Sequence, residues 1–182
     1  MLPTALTSPV DTLDSSDPGD MVIKKFRYQF GYGVILLAGM VEGKLRHKAI
    51  WCEQYEDFLG EDSDGTFVAY QIKTRRSEIG EWDTNDEAFI KSVGRFIDLQ
   101  KKFPGKISAF KFVSNTEYST SSAKGSEMYS PIKLLNVTRT LSSENDITGE
   151  VKKGFYKLVS AVGSTPGELF SVLRCMNVVR GP

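Results

Sequence analysis

Asp57, thirteen residues and then Gln71-Ile72-Lys73 make up the stretch of this 182-residue chain best equipped for chemistry. A carboxylate, an amide oxygen and a lysine suit phosphodiester hydrolysis. That reaction needs an activated water, charge relief on the non-bridging oxygens and stabilisation of the leaving oxygen, and a divalent metal supplies all three. Magnesium takes oxygen ligands and keeps several waters, so one carboxylate with neutral carbonyl oxygens suffices. On this reading Asp57 and Gln71 hold Mg2+, or Mn2+ in its place, and the Ile72 backbone carbonyl is a third ligand. Lys73 sets a cation against the scissile phosphate or the attacking water. The same residues equally fit the solvated face of an ordinary antiparallel hairpin.

Whether these side chains meet depends on the turn between them. A two-residue loop, Asp64-Gly65, sets Asp57 opposite Ile72 and so on the wrong face. A three-residue loop, Ser63-Asp64-Gly65 with a left-handed glycine, sets Asp57 opposite Gln71. The two-residue side-chain period then adds Lys73 and Glu53 to that face and turns Glu56 away. The sequence leaves both registers open.

The elements that must position this hairpin follow from periodicity. Met21 to about Val41 reads as a helix, with Phe26, Phe30, Gly33, Leu37 and Met40 at helical spacing and Asp20 as N-cap. Gly31, Gly33 and Gly39 weaken it and mark close approach of other groups. Gln29 is either solvated or turned toward the hairpin. Strands are expected over Ala49–Leu59, Thr66–Thr74 and Ile107–Val113. Between the last two, Thr84 to Glu87 has capping-box form and opens a helix that stops at Phe103-Pro104-Gly105. Thr116–Ser130 reads as a loop, and Pro131–Asp146 fits no single element. Gly149–Val162 and Thr165–Val178 read as amphipathic helices, the second with Thr165, Pro166 and Glu168 at its start. Residues 1–20 form a flexible arm, and 21–182 one domain with a core over about 21–115 and a C-terminal helical part over about 149–179. The chain ends just past a helix, as a piece cut from something longer would.

Composition narrows the classes. Twenty-three basic residues balance twenty-three acidic ones, so no overall positive field announces nucleic acid and any basic footprint is local. Its candidates are Lys44, Arg46, Lys48, Arg75, Arg76, Lys101, Lys102 and Lys106; Arg75, Arg76, Lys44 and Arg46 are the leading DNA contacts. Trp82 fits core packing better than a wedge against DNA. His47, the single histidine, excludes paired-histidine chemistry and reads as solvated beside Arg46 and Lys48. Cys52 and Cys175 fit buried free thiols in a reducing cytosol. Neither a membrane span nor a signal peptide is present, which points to the cytoplasm.

Asp57 with Gln71-x-Lys73, a preceding helix and a following helix and strand, resembles the PD-(D/E)xK nuclease superfamily in its Mrr-like form, where glutamine replaces the usual acid. Several further motifs make a closer resemblance: Phe26-Arg27-Tyr28-Gln29, Glu53-x-x-Glu56-Asp57, Gln71-Ile72-Lys73-Thr74-Arg75, Trp82 and Phe112-Val113-Ser114-Asn115. Together they look like the endonuclease domain of bacterial anti-phage effectors found with CD-NTases (CBASS systems), and like related domains that work with HerA-type ATPases. The resemblance covers about Met21 to Asn115. It implies a three-layer α/β, restriction-endonuclease-like fold, with a central mixed sheet and a catalytic hairpin flanked by helices. It also implies Mg2+-dependent cleavage of double-stranded DNA with weak sequence preference, and an active homo-oligomer. A C-terminal sensor domain or a HerA-type ATPase partner would lie outside this chain. Carried over by position, Asp57, Gln71 and Lys73 match the catalytic motif, Gln29 the polar position of the leading helix, and Glu53 a supporting acid. A non-catalytic module for DNA binding or assembly, and an RNA-directed nuclease, are the alternatives.

Overall fold

The computed structural model describes residues 18–120 and 130–182. The expected arm over 1–17 and residues 121–129 of the expected loop lie outside the described residues. The order is α1 (Pro18–Val41), β1 (His47–Gln54), β2 (Glu56–Asp62), β3 (Phe67–Lys73), α2 (Glu87–Lys102), β4 (Ile107–Ser114), α3 (Pro131–Thr140), α4 (Gly149–Val162), α5 (Pro166–Cys175) and β5 (Met176–Arg180).

One five-stranded sheet runs β1-β2-β3-β4-β5. Its first three strands form an antiparallel meander, and β3, β4 and β5 are mutually parallel. Parallel neighbours need crossovers, supplied by α2 and then by α3 to α5. Alternation along β3 divides the core in two. Ala69 packs with Leu59, Phe110 and Phe112 beneath α2 to α5, while Val68, Tyr70 and Ile72 meet Tyr32 and Leu36 of α1. The result is the three-layer α/β arrangement with a central mixed sheet.

The expected strand Ala49–Leu59 is two strands. The chain reverses at Tyr55, so that Gln54 pairs with Glu56, and both Glu53 (φ 55°) and Tyr55 (φ 69°) are left-handed. His47 is buried rather than solvated; its Nδ1 lies 2.5 Å from Asp62 Oδ1 and its Nε2 2.7 Å from the Tyr70 hydroxyl. Helix α1 begins at Pro18, which puts Asp20 inside its first turn. The capping box at Thr84 does not form: Asp86 is the N-cap of α2, and its carboxylate takes the Asp83 N–H and the Arg75 guanidinium. The box at Thr165 and Glu168 does form. The last expected helix ends at Cys175, where the β-branched run Val178-Val179 pairs with β4 instead. Cys52 is exposed and Cys175 half-buried, both as free thiols.

Close approach explains two glycines. A Cβ on Gly33 would sit 2.8 Å from Phe58 Cζ, and one on Gly60 would overlap the His47 ring. Gly60→Ala is therefore expected to cost about 1–3 kcal/mol of unfolding free energy. Gly94→Ala, in α2 where a Cβ meets nothing within 4 Å, is expected to add about 0.5–1 kcal/mol. Urea unfolding of the two variants checks the opposite signs.

Candidate active site

The turn between β2 and β3 sets the geometry. Asp62 N–H donates to the Thr66 carbonyl at 2.9 Å and Gly65 N–H to the Asp62 carbonyl at 3.0 Å, with Gly65 at φ 78°. The Asp64 carboxylate accepts from the Thr66 N–H and hydroxyl at 2.9 and 2.7 Å. This is the three-residue loop. Its ladder runs from Glu61 opposite Phe67 to Phe58 opposite Tyr70, so the next position brings Asp57 to Gln71.

There Asp57 Oδ2 accepts the Ile72 N–H at 2.6 Å and a hydrogen bond from the Gln71 amide. Gln71 is wholly buried, and its Oε1 has no hydrogen-bond partner among the described residues. Because N–H and C=O of one strand residue point the same way, the Ile72 carbonyl faces this side too. A cleft of about 400 Å³ opens here, between Asp57, Ile72 and Lys73 of the sheet, Lys25, Phe26 and Gln29 of α1, and Ala88 of α2. It lies at the carboxyl end of β3, where α/β sheets place ligands. Another cleft, of about 450 Å³, lies between Trp51, Tyr55, Phe67 and Phe103. It is apolar and without a carboxylate, so chemistry rather than size singles out the first.

Burial pulls the Lys73 ammonium below its ordinary pKa, an effect opposed by Asp57 and Glu56 and reinforced by Arg95 and Lys25. Glu56, expected to face away, is buried, with Oε2 3.4 Å from the Arg95 guanidinium. Burial pushes its pKa up to about 7 against the pull of Arg95, with Asp57 adding to the rise. Glu53 is exposed and does not line the cleft; its carboxylate accepts a 2.5 Å hydrogen bond from Gln29, which does. The period-two argument failed here because the chain reverses between Glu53 and Asp57.

The proposed DNA contacts separate. Arg75 is committed within the protein: its side chain is 9% exposed, and its guanidinium pairs with Asp86, donates to the Glu81 carbonyl and stacks 3.8 Å over Trp82. Trp82 is itself core, donating to Ser114 Oγ at 2.7 Å. Arg76 is exposed. Lys44 and Arg46 are exposed as well, but they precede the far end of the β1–β2 pair, where His47 faces Asp62. That is roughly 16 Å along the strand from Asp57. Lys25 and Arg95 are nearer and were not foreseen. Lys25 precedes Gln29 by one helical turn, a signal present in the sequence; Arg95 comes from a different element, and nothing local announces it.

Residues 17–177 match the family described as Cap4, dsDNA endonuclease domain. The chain belongs to that family. It is a double-stranded DNA endonuclease domain of the kind that serves as an anti-phage CBASS effector. No curated protein and no solved structure matches it. The Cap4 match spans α1 to β5, so the C-terminal helices fall within the same family unit as the hairpin.

Glu56 gives the fold a pH signature. Its native pKa of about 7 exceeds the ordinary 4.5. Between those values the unfolded chain releases a proton that the native chain keeps, so native stability falls as pH rises through this window and levels off above it. The full effect is at most about 3 kcal/mol. In metal chelator, Glu56→Gln is expected to flatten the unfolding free energy between those pH values. A variant with the wild-type slope would show that the carboxyl is already ionised in the native state.

Proposed function

We propose that the cleft at Asp57 is the catalytic centre of this Cap4 endonuclease domain, that it works with a bound divalent metal, and that it cuts duplex DNA with little sequence preference. The observation that carries this reading is the buried, unpartnered Gln71 Oε1 beside the Asp57 carboxylate. A buried acceptor without a partner costs about 1–3 kcal/mol, a cost that a cation removes. Among the described residues no three His, Cys, Asp or Glu side chains cluster as a metal site, so the donor set is Asp57 with neutral oxygens, which suits Mg2+ or Mn2+. Turning the Gln71 amide about its last torsion gives up its hydrogen bond to Asp57, exchanges nitrogen for oxygen and presents that acceptor to the same cation as Asp57. The set fits.

When bound, such an ion would supply an activated water and relieve charge on the phosphate. Asp57 and Gln71 would hold it, with the Ile72 carbonyl as third ligand. Lys73, partly desolvated between two carboxylates, would put a cation on the scissile phosphate. Gln29 and Glu53 would brace the turn, and Lys25 and Arg76 would take neighbouring phosphates. Among the described residues that line the cleft, no element is shaped to read base edges, which supports weak specificity. We further propose that residues 21–182 act as one domain, that cutting requires an oligomer, and that a sensor domain or ATPase partner supplies the trigger. No helix among the described residues is long and apolar enough to cross a membrane.

Plasmid cleavage tests the centre. Asp57→Asn and Lys73→Ala are each expected to slow nicking in Mg2+ at least about 100-fold with the fold intact, and chelation to abolish it. Cleavage at the wild-type rate in both variants would sink the assignment. Binding to duplex DNA should lose about one unit of salt slope in Lys25→Ala and none in Lys44→Ala.

A further inference from the structure

The outer face of α1 is apolar where a solvent-facing helix should be charged. Between Arg27 and Glu42 the helix has no charged residue. Tyr32, Gly33 and Leu36 face the sheet, and on the opposite side Phe30 is 61% exposed, Val34 64%, Leu37 53% and Val41 90%. Ile23, Phe26 and Ile35 are also exposed. With the two phenylalanines at roughly 150–250 Å² each, the aliphatic side chains somewhat smaller and all about half-exposed, the face presents on the order of 700 Å². That is one partner's share of a standard interface and exceeds the usual apolar patch of a monomer.

We propose that this face pairs with a second copy of the same chain, α1 against α1, antiparallel about a two-fold axis between Val34 and Ile35. Three features select a copy of itself. The area suits one symmetric partner, and the composition is that of a homodimer core rather than a transient contact. The small residues are placed for close approach: a Cβ on Gly31 would meet nothing within 4 Å, Ala38 is exposed, and the two-fold axis sets each Gly31 opposite the partner subunit's Ala38, which suits helix axes about 8 Å apart. The charges at the ends are complementary, since the same axis sets Arg27 against the partner subunit's Glu42. Glu42 now pairs with Lys44 at 2.6 Å in an exposed position, from which it can turn. The pairing names the surface of the oligomer proposed above, but it stands on α1 alone and is read without any cleavage assay.

Sedimentation equilibrium of the chain tests it, with circular dichroism melting as the folding control. A monomer–dimer equilibrium is expected for the wild type, with Ile35→Glu raising the dissociation constant at least about 100-fold, or nearly 3 kcal/mol. Val34→Lys, at a more exposed position, takes its place if Ile35→Glu melts early. Arg27→Glu should weaken association, and Arg27→Glu combined with Glu42→Arg should restore it. In a Cys52→Ser background, Val34→Cys should cross-link to itself on mild oxidation and Val41→Cys should not. A wild type monomeric at every concentration, a dimer indifferent to both central variants, or faster cross-linking at position 41 than at 34 would each overturn the proposal. Wild-type cleavage in Asp57→Asn with the dimer intact would sink the catalytic assignment and support the pairing.

Discussion

The hydrogen bond from the Ile72 N–H to Asp57 Oδ2 closes the β2–β3 ladder where the strands part. Backbone pairing ends at Phe58 and Tyr70, and Ile72 is buried, so its N–H would otherwise lack an acceptor at a cost of about 1–3 kcal/mol. A side-chain carboxylate takes the place of the missing β2 carbonyl. The fold therefore holds Asp57 by the same contact that orients it into the cleft, and Gln71 adds a second donor to the same oxygen. All of this depends on the register set by Gly65 and the Asp64–Thr66 contacts, because a slip of one residue would carry Asp57 to the α1 side of the sheet.

The strand approaching Asp57 is held from both layers. Left-handed conformations at Glu53 and Tyr55 cost of order 1–3 kcal/mol each for residues with side chains, and they persist only if their surroundings fix them. From α1, Gln29 binds the Glu53 carboxylate. From α2, Arg95 donates to the Tyr55 carbonyl at 2.6 Å, and Phe103 at the end of that helix packs edge-on against the Tyr55 ring. The reversal before the carboxylate is thus tied to both helices that border the cleft, so a shift of α2 would reach Asp57 across one residue and a shift of α1 across three.

Much of this was legible in the sequence because it rests on local rules. The register was the exception: the sequence allowed a two- or a three-residue loop, and the left-handed Gly65 with the Asp64–Thr66 contacts selects the longer one. Helical period exposed α1, α2, α4 and α5, and the β-branched and aromatic runs gave β3 and β4. The failures came where distant groups decide. The reversal at Tyr55 uses neither glycine nor proline, so alternation read Ala49–Leu59 as one strand. His47 has basic neighbours in sequence but Asp62 and Tyr70 in space. Asp86 forgoes its own cap to bind Arg75, and Arg75 is thereby withdrawn from the surface that its sequence context suggested. The final strand is short and follows α5 without a turn signal, so only the free edge of β4 defines it.

On the proposed reading, the cleft also accounts for how a chain of zero net charge would bind a polyanion. Lys73, Lys25 and Arg95 surround two acids, one of which, Glu56, has its pKa pushed up to about 7 by burial. Gln71 stands where a second carboxylate would otherwise add negative charge. The local balance is therefore positive although the composition is not, and the low dielectric of a partly buried site makes those charges count for more than the scattered surface pairs that cancel them elsewhere. On the proposed reading, the same glutamine that makes the site attractive to phosphate would make it a weak cation site, since a single full carboxylate remains among the proposed donors. Phosphate oxygens of the substrate are then the natural complement to Asp57 and Gln71, so that metal and DNA would each favour the binding of the other.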